Sequence, residues 1–220
     1  AINSTPAILT SFTKSQLIDG FNKINFSSIA HKSIIDWDPT KNDFNYNITF
    51  QPTMKLNSEA AYSIALYEKL SLTVYDKDSN KAKHTTVGFG HKLHDGAIKS
   101  TDPKSITFDQ AITFLAEDII KAENTLNQKI ENMDLTGQFN RNQYFALVDM
   151  TFNGGNLVDN ILVAMKSGGV ESANQVIKNM YINETNGGVK DRRYFNAEAF
   201  INNRSLTPEE ARAELVKLGY

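Results

Sequence analysis

Cysteine is absent from this chain, and its absence excludes thiol catalysis, thiolate metal sites and a disulfide framework. The redox compartment stays open, because a protein without cysteine suits either environment. With 220 residues, 40% of them hydrophobic, the chain is long enough to bury a core without disulfides or a metal. The length fits one ordinary domain with an appended module, or two small domains.

Blocks of like charge and long apolar runs are also missing. The formal charge is -2, and no five like charges are consecutive, so the sequence predicts no nucleic-acid partner. The apolar runs, of which 60–66 is typical, are too short to predict a membrane span or a signal peptide. The chain begins with Ala1 rather than Met, which suggests processing or a fragment of a longer protein.

Residues 1–57 differ in composition from the rest of the chain. They are rich in Asn, Ser, Thr, Phe and Ile, with a helix predicted over 15–24. Apolar and polar residues alternate over 44–50, which predicts a strand. We interpret 1–57 as a small N-terminal module whose role the sequence does not reveal.

Residues 58–220 predict an α+β domain, mostly helical with one small β-hairpin. A helix is predicted from Ser58 to near Leu70, and alternating residues on both sides of a polar turn predict the hairpin. Capping boxes at Thr107 and Thr207 each predict a further helix. The predicted helices after the hairpin cover 107–130, 141–152, 169–180 and 207–218.

Candidate catalytic groups gather at the end of the first of these helices. Glu68 lies near the helix end, and Asp76, Asp78 and Thr86 follow within a short stretch of chain. The C-terminal end of a helix carries partial negative charge, which favours a neutral carboxylic acid over a carboxylate. Cleavage of a glycosidic bond with inversion needs such an acid and a second group that holds water on the opposite face of the sugar.

The sequence here resembles the phage-type lysozymes. Their signature is a helix-terminal Glu, a strand with Tyr, an Asp, and a Thr-Ile-Gly-Tyr-Gly-His segment. This chain has Glu68, then Tyr75 at the family's interval, then Thr86-Val87-Gly88-Phe89-Gly90-His91. The glycines are expected where backbone must approach closely. The likeness extends over roughly 58–205, including the helix that joins the two lobes in that family and an Arg192-Arg193 element.

The resemblance implies a lysozyme-like fold and a muramidase that cuts the β-1,4 bond between N-acetylmuramic acid and N-acetylglucosamine in peptidoglycan, without a cofactor or metal. Glu68 would be the general acid and Thr86 would help to hold the attacking water. His91 would be structural, and Arg192 or Arg193 would pair with Glu68. The alternative for the two arginines is a solvated basic face. Inversion is inferred from the family, and a retaining mechanism stays open until the carboxylate separation is known.

One position departs from the family pattern. The family places its Asp two residues after the Tyr, where this chain has Lys77, and the interval from Tyr75 to Thr86 is longer. We expect Asp78 to be the second carboxylate, with Asp76 as its rival and a bulge or the longer turn correcting the register. The altered hairpin supports an alternative hypothesis, in which the chain is a lysozyme-like domain with impaired catalysis that binds glycan or acts as a scaffold.

Partners and place of action follow from the resemblance. Peptidoglycan glycan strands are the expected partner, and the bacterial cell wall or periplasm is the expected place of action. A charge of -2 gives little attraction to anionic walls. We therefore expect delivery by a phage tail, a secretion system or a bacteriocin, with residues 1–57 contacting a carrier or receptor. An immunity or inhibitor protein is a possible further partner.

Overall fold

The computed structural model of the chain describes residues 7–24, 58–77 and 84–220. The strand predicted over 44–50 lies outside these ranges. Within them the order of elements is α1 (Lys14–Asn22), α2 (Ser58–Glu68), β1 (Ser71–Asp76), β2 (His84–Gly88), β3 (His91–Asp95), α3 (Phe108–Asn132), α4 (Arg141–Asn153), α5 (Asp159–Ile182), α6 (Gly187–Asn202) and α7 (Pro208–Lys217). The predicted α+β class, mostly helical with a small β lobe, is confirmed.

The chain divides into two compact units. The described residues of the first unit are 7–24 and 64–118 without 78–83, and those of the second are 58–63 and 119–220. Helix α1 of the N-terminal region therefore belongs to the same unit as the sheet. The assignment of 1–57 as a separate module stays a prediction.

A three-stranded antiparallel sheet, in the order β1-β2-β3, forms the centre of the first unit. The predicted hairpin corresponds to β1 and β2, whereas β3 was not predicted. Tyr75 pairs with Thr86 and Asp76 with Thr85, after a bulge between Ser71 and Tyr75. Directly paired residues on antiparallel strands point to the same face, so this register decides which side chains meet.

Residues 7–24 are packed into the first unit. The side chains of Thr13 and Gln16 form a capping box at the start of α1, and Leu17 and Phe21 of this helix are fully buried. Before the helix, the backbone N–H of Thr10 donates to the carbonyl of Leu70 at 2.7 Å. This described part of the N-terminal region is thus hydrogen-bonded to the residue that precedes β1.

The second unit is built around α4 and α6. All residues of α4 over 141–151 are buried, so this helix is enclosed on every side. Phe145 of α4 contacts Phe195 of α6 edge to face, with ring centroids 5.8 Å apart. Helix α5 is interrupted at Gly169, whose φ of 71° lies in the left-handed region. In the described ranges, no helix has the length and apolarity to cross a membrane.

Candidate active site

Glu68 is the last residue of α2. The helix ends there because Lys69 adopts a left-handed backbone with φ 62°, and its N–H closes the final turn on the carbonyl of Ala65 at 3.0 Å. The carboxyl group is therefore carried by the C-terminal end of a helix, as the sequence predicts.

The turn between β2 and β3 approaches Glu68 closely at Gly90. A methyl group on Gly90 would lie 2.8 Å from Oε2 of Glu68 and 4.0 Å from Nζ of Lys77. The φ of Gly90 is 77°, a backbone conformation that side chains disfavour. Two reasons therefore favour glycine at position 90, the left-handed backbone and the lack of space beside the Glu68 carboxylate.

Thr86 lies in the middle strand, opposite Tyr75 of β1. It is 1% exposed, and its hydroxyl donates to the carbonyl of His84 at 2.9 Å. Since the hydroxyl hydrogen is used in this bond, the oxygen can only accept a hydrogen bond from a further group. An incoming water would therefore donate to Thr86.

Of the two candidate aspartates, the structure describes Asp76 but not Asp78. Asp76 pairs with Thr85, so its side chain lies on the face opposite to that of Tyr75 and Thr86. It is 7% exposed, and its Oδ1 has no hydrogen-bond partner among the residues that the structure describes. Asp78 lies outside the described residues, and its role stays a prediction.

Lys77 follows directly after β1, and its backbone N–H donates to the carbonyl of His84 at 3.1 Å. The alternation of the strand puts its side chain on the face of Tyr75 and Thr86. The side chain is exposed, and its ammonium group lies close to the same point beside Gly90 as the Glu68 carboxylate. A cation therefore stands near the candidate acid.

A comparison with known families identifies what the chain is similar to. A family model described as phage lysozyme matches residues 65–194, which is more than half of the chain. The chain belongs to the phage lysozyme family. This lysozyme is a peptidoglycan-degrading hydrolase of the muramidase class, and the bacterial cell wall is its substrate and place of action. No curated protein matches the chain.

Two histidines of β3 contact carboxylates that lie outside the sheet of this lysozyme. Nδ1 of His91 lies 2.8 Å from Oδ2 of Asp118, and the ring stacks on Phe114 at 4.1 Å between centroids. These contacts agree with the structural role expected for His91. His94 contacts Asp102 at 2.8 Å through Nε2.

The pKa values of this second pair shift in opposite directions. The carbonyl of Asp95, to which Nδ1 of His94 is hydrogen-bonded, raises the pKa of His94, and the Asp102 carboxylate adds to this rise. The backbone N–H of Lys99 lowers the pKa of Asp102, and His94 lowers it further. Both shifts favour a charged pair, which ties the end of β3 to the following loop.

Arg192 and Arg193 of this lysozyme lie in α6, within the second unit. Arg192 is 6% and Arg193 is 4% exposed, so the alternative of a solvated basic face is wrong. Arg192 binds the fully buried Asp149 through Nη2 at 2.8 Å. Arg193 donates to Asn196 at 2.8 Å and also to Asn153. The expected pairing of either arginine with Glu68 stays a prediction.

Proposed function

We propose that this lysozyme is an N-acetylmuramidase of the glycoside hydrolase family 24 type, with Glu68 as its general acid. The observation that carries the proposal is the position of the Glu68 carboxylate, at the end of α2 and against Gly90. Glu68 would protonate the glycosidic oxygen as the bond to C1 of N-acetylmuramic acid breaks.

The attacking water belongs on the opposite face of the sugar, and inversion is the stereochemical outcome we propose. Thr86 would accept a hydrogen bond from this water, because its own hydroxyl donates to the backbone carbonyl of His84. Asp78 would take the proton that the water loses on attacking C1. Asp76 lies on the face of Thr85, opposite to that of Thr86, and is therefore a poor partner for a water held by Thr86. We therefore favour Asp78 for this role.

The test compares purified wild type with Glu68→Gln on peptidoglycan sacculi. We expect Glu68→Gln to cut turnover by about 10²- to 10⁴-fold, the usual contribution of a positioned acid. Glu59→Gln, the same change in the first turn of α2, is the matched control and should retain activity. Mass analysis should find reducing-end N-acetylmuramic acid in the soluble fragments. Equal lysis by wild type and Glu68→Gln would refute the role of Glu68.

The role of the second carboxylate is tested by Asp78→Asn beside Asp76→Asn. We expect a large loss of turnover for Asp78→Asn only. Asp76→Asn also removes a buried charge whose Oδ1 has no partner in the described part of the chain, so it should not reduce stability. The reverse pattern of activity would transfer the role to Asp76. The anomeric form of the first product separates inversion from retention.

A second candidate function is a glycan-binding or scaffolding domain with impaired catalysis. The observation in its favour is Lys77, a cation at the position where the family has an Asp. A folded wild type that binds sacculi and releases no fragments would favour this candidate.

Delivery by a larger assembly completes the proposal, with residues 1–57 contacting a carrier or receptor and an immunity protein protecting the producer. Support comes from the low charge of the chain and from the family match, which begins only at residue 65. The protein added to intact cells should lyse them far less than permeabilised cells. Equal lysis from outside would contradict the need for a carrier.

A further inference from the structure

We propose that Lys77 binds a carboxylate of the peptidoglycan strand beside the bond that is cut, and so sets the preference of the enzyme for acidic glycans. This inference rests on the proposed role of Glu68. It names the chemical group that Lys77 recognises, which the family membership leaves open.

The position of Lys77 carries the first step of the argument. Its Nζ lies 4.0 Å from the point that a methyl group on Gly90 would occupy, and Oε2 of Glu68 lies 2.8 Å from the same point. Continuing the alternation of β1 by one residue puts Lys77 on the face of Tyr75 and Thr86. The ammonium group therefore lies near the candidate acid, where it can reach a group of the substrate that Glu68 would protonate.

The charge of Lys77 is not used within the described part of the protein. Lys92 of the same unit forms an ion pair with Asp95 at 3.0 Å, whereas the exposed Lys77 has no ion pair or side-chain hydrogen bond among the described residues. As far as the described residues are concerned, its ammonium group is available to an anionic ligand.

The chemistry of the cleaved bond supplies the reason for such a ligand. Glycoside cleavage proceeds through a transition state with positive charge on the sugar ring. An unpaired ammonium group nearby opposes this charge, whereas an ammonium group paired with a carboxylate of the substrate does not. A lysine at this position is compatible with catalysis when the substrate brings its own negative charge.

Peptidoglycan can offer this carboxylate from two sources. The lactyl ether of N-acetylmuramic acid is attached two ring carbons from the anomeric carbon, and it ends in a free carboxylate in strands without peptides. In strands that carry peptides the lactyl group is an amide, and the carboxylates belong to the stem. Either source presents the same group close to the bond that Glu68 would protonate.

The experiment compares wild type, Lys77→Gln and Lys77→Arg on peptide-free strands, on peptide-bearing strands, and on both after their carboxylates are converted to methylamides. We expect Lys77→Gln to lower kcat/KM about tenfold on the strand that supplies the carboxylate, equivalent to one charge-assisted hydrogen bond. Lys77→Arg should retain most of the preference. Capping the carboxylates should remove the difference between wild type and Lys77→Gln.

The matched control is Lys104→Gln, which removes an exposed charge from the same unit next to the other edge of β1. It should not change the preference, which excludes general attraction between protein and wall as the cause. A loss on peptide-free strands assigns the lactyl carboxylate, and a loss on peptide-bearing strands assigns the stem. An equal loss on capped substrates, no loss on any, or a gain on all would overturn the proposal.

Binding separates this inference from the proposed acid. The dissociation constants of the same strands are measured calorimetrically for Glu68→Gln with and without Lys77→Gln, where turnover is not needed. A charge-dependent loss of binding supports Lys77 even if Glu68→Gln proves as active as wild type. Loss of turnover in Glu68→Gln, with no effect of Lys77→Gln on binding, would refute the carboxylate site alone.

Discussion

Gly90 and Gly96 have the same kind of backbone and different surroundings. Both have positive φ, 77° and 93°, but a methyl group on Gly96 would have nothing within 4 Å, whereas one on Gly90 would meet Oε2 of Glu68 at 2.8 Å. Substitutions at these two glycines therefore distinguish the effect of backbone strain, which both share, from the effect of crowding the Glu68 carboxylate, which only Gly90 has.

We expect Gly90→Ala and Gly96→Ala to lower the free energy of unfolding by similar amounts, about 1–2 kcal/mol, because each forces Ala into the left-handed region. Only Gly90→Ala should also displace the Glu68 carboxylate, and a displacement of about 1 Å costs on the order of 10²-fold in turnover. Urea denaturation measures the first effect and release of muropeptides the second. Equal turnover in both variants would argue against a catalytic contact at Gly90.

At the same scale, sequence reasoning predicted that Glu68 ends a helix and that a glycine of the motif makes a close approach, because both depend on neighbours in the chain. It did not predict Asp118 as the partner of His91 or Asp149 as the partner of Arg192. These partners are 27 and 43 residues away along the chain. The face of Asp76 also depended on a bulge that local alternation does not reveal.

At the scale of elements, the close contact between α1 and α3 is unusual. A methyl group on Gly20 would lie 2.0 Å from Cδ1 of Ile112, and the next atom of Ile112 would be at 3.4 Å. Both residues are buried. Glycine at this position is thus explained by packing, although Ala would be the better helix former by about 1 kcal/mol.

We expect Gly20→Ala to destabilise the wild-type background by about 1–3 kcal/mol, as overpacking does. Ile112→Val removes Cδ1, at a cost of about 0.5–1.5 kcal/mol by itself. In the Val background Gly20→Ala should be neutral or stabilising, because the clash is gone and the helix preference remains. The double-mutant cycle is measured by urea denaturation, and additive effects would contradict the contact.

The elements that sequence reasoning found and missed differ in their patterns. Helices α1, α3, α4 and α7 were predicted to within a few residues from caps and periodicity. Helix α6 was not predicted as a helix, because most residues over 192–200 are buried and leave little contrast between two faces. Strand β3 was missed because His91–Asp95 contains four charged or titratable residues around Leu93, without an apolar alternation.

At the scale of the whole molecule, the change in composition near residue 57 led to the prediction, which stays a prediction, that a lysozyme-like domain begins there. The match to the phage lysozyme family, over 65–194, also leaves the N-terminal region aside. The contacts of α1 cut across this division, because Leu17 and Phe21 are buried within the unit that contains the sheet. Composition and the family match suggest a boundary along the chain. The core, in contrast, consists of whichever apolar side chains are buried together.

A fragment of residues 58–220 should therefore be less stable than the whole chain. Losing α1 uncovers the partners of Leu17 and Phe21, and each buried side chain of this kind contributes about 1.5–3 kcal/mol. The fragment also loses the backbone bond from Thr10 to Leu70, one residue before β1. Phe12 no longer covers Phe89, which it contacts edge to face at 5.2 Å beside Gly90.

Urea denaturation of three chains checks this expectation: the whole protein, a chain that begins at residue 7, and the fragment 58–220. The chain beginning at residue 7 retains every described contact and should unfold near the midpoint of the whole protein. The fragment should unfold at a distinctly lower urea concentration, with reduced release of muropeptides because the turn at Gly90 has lost its cover. If the fragment matches the other two in midpoint and turnover, α1 is an appendage and the lysozyme core begins at α2.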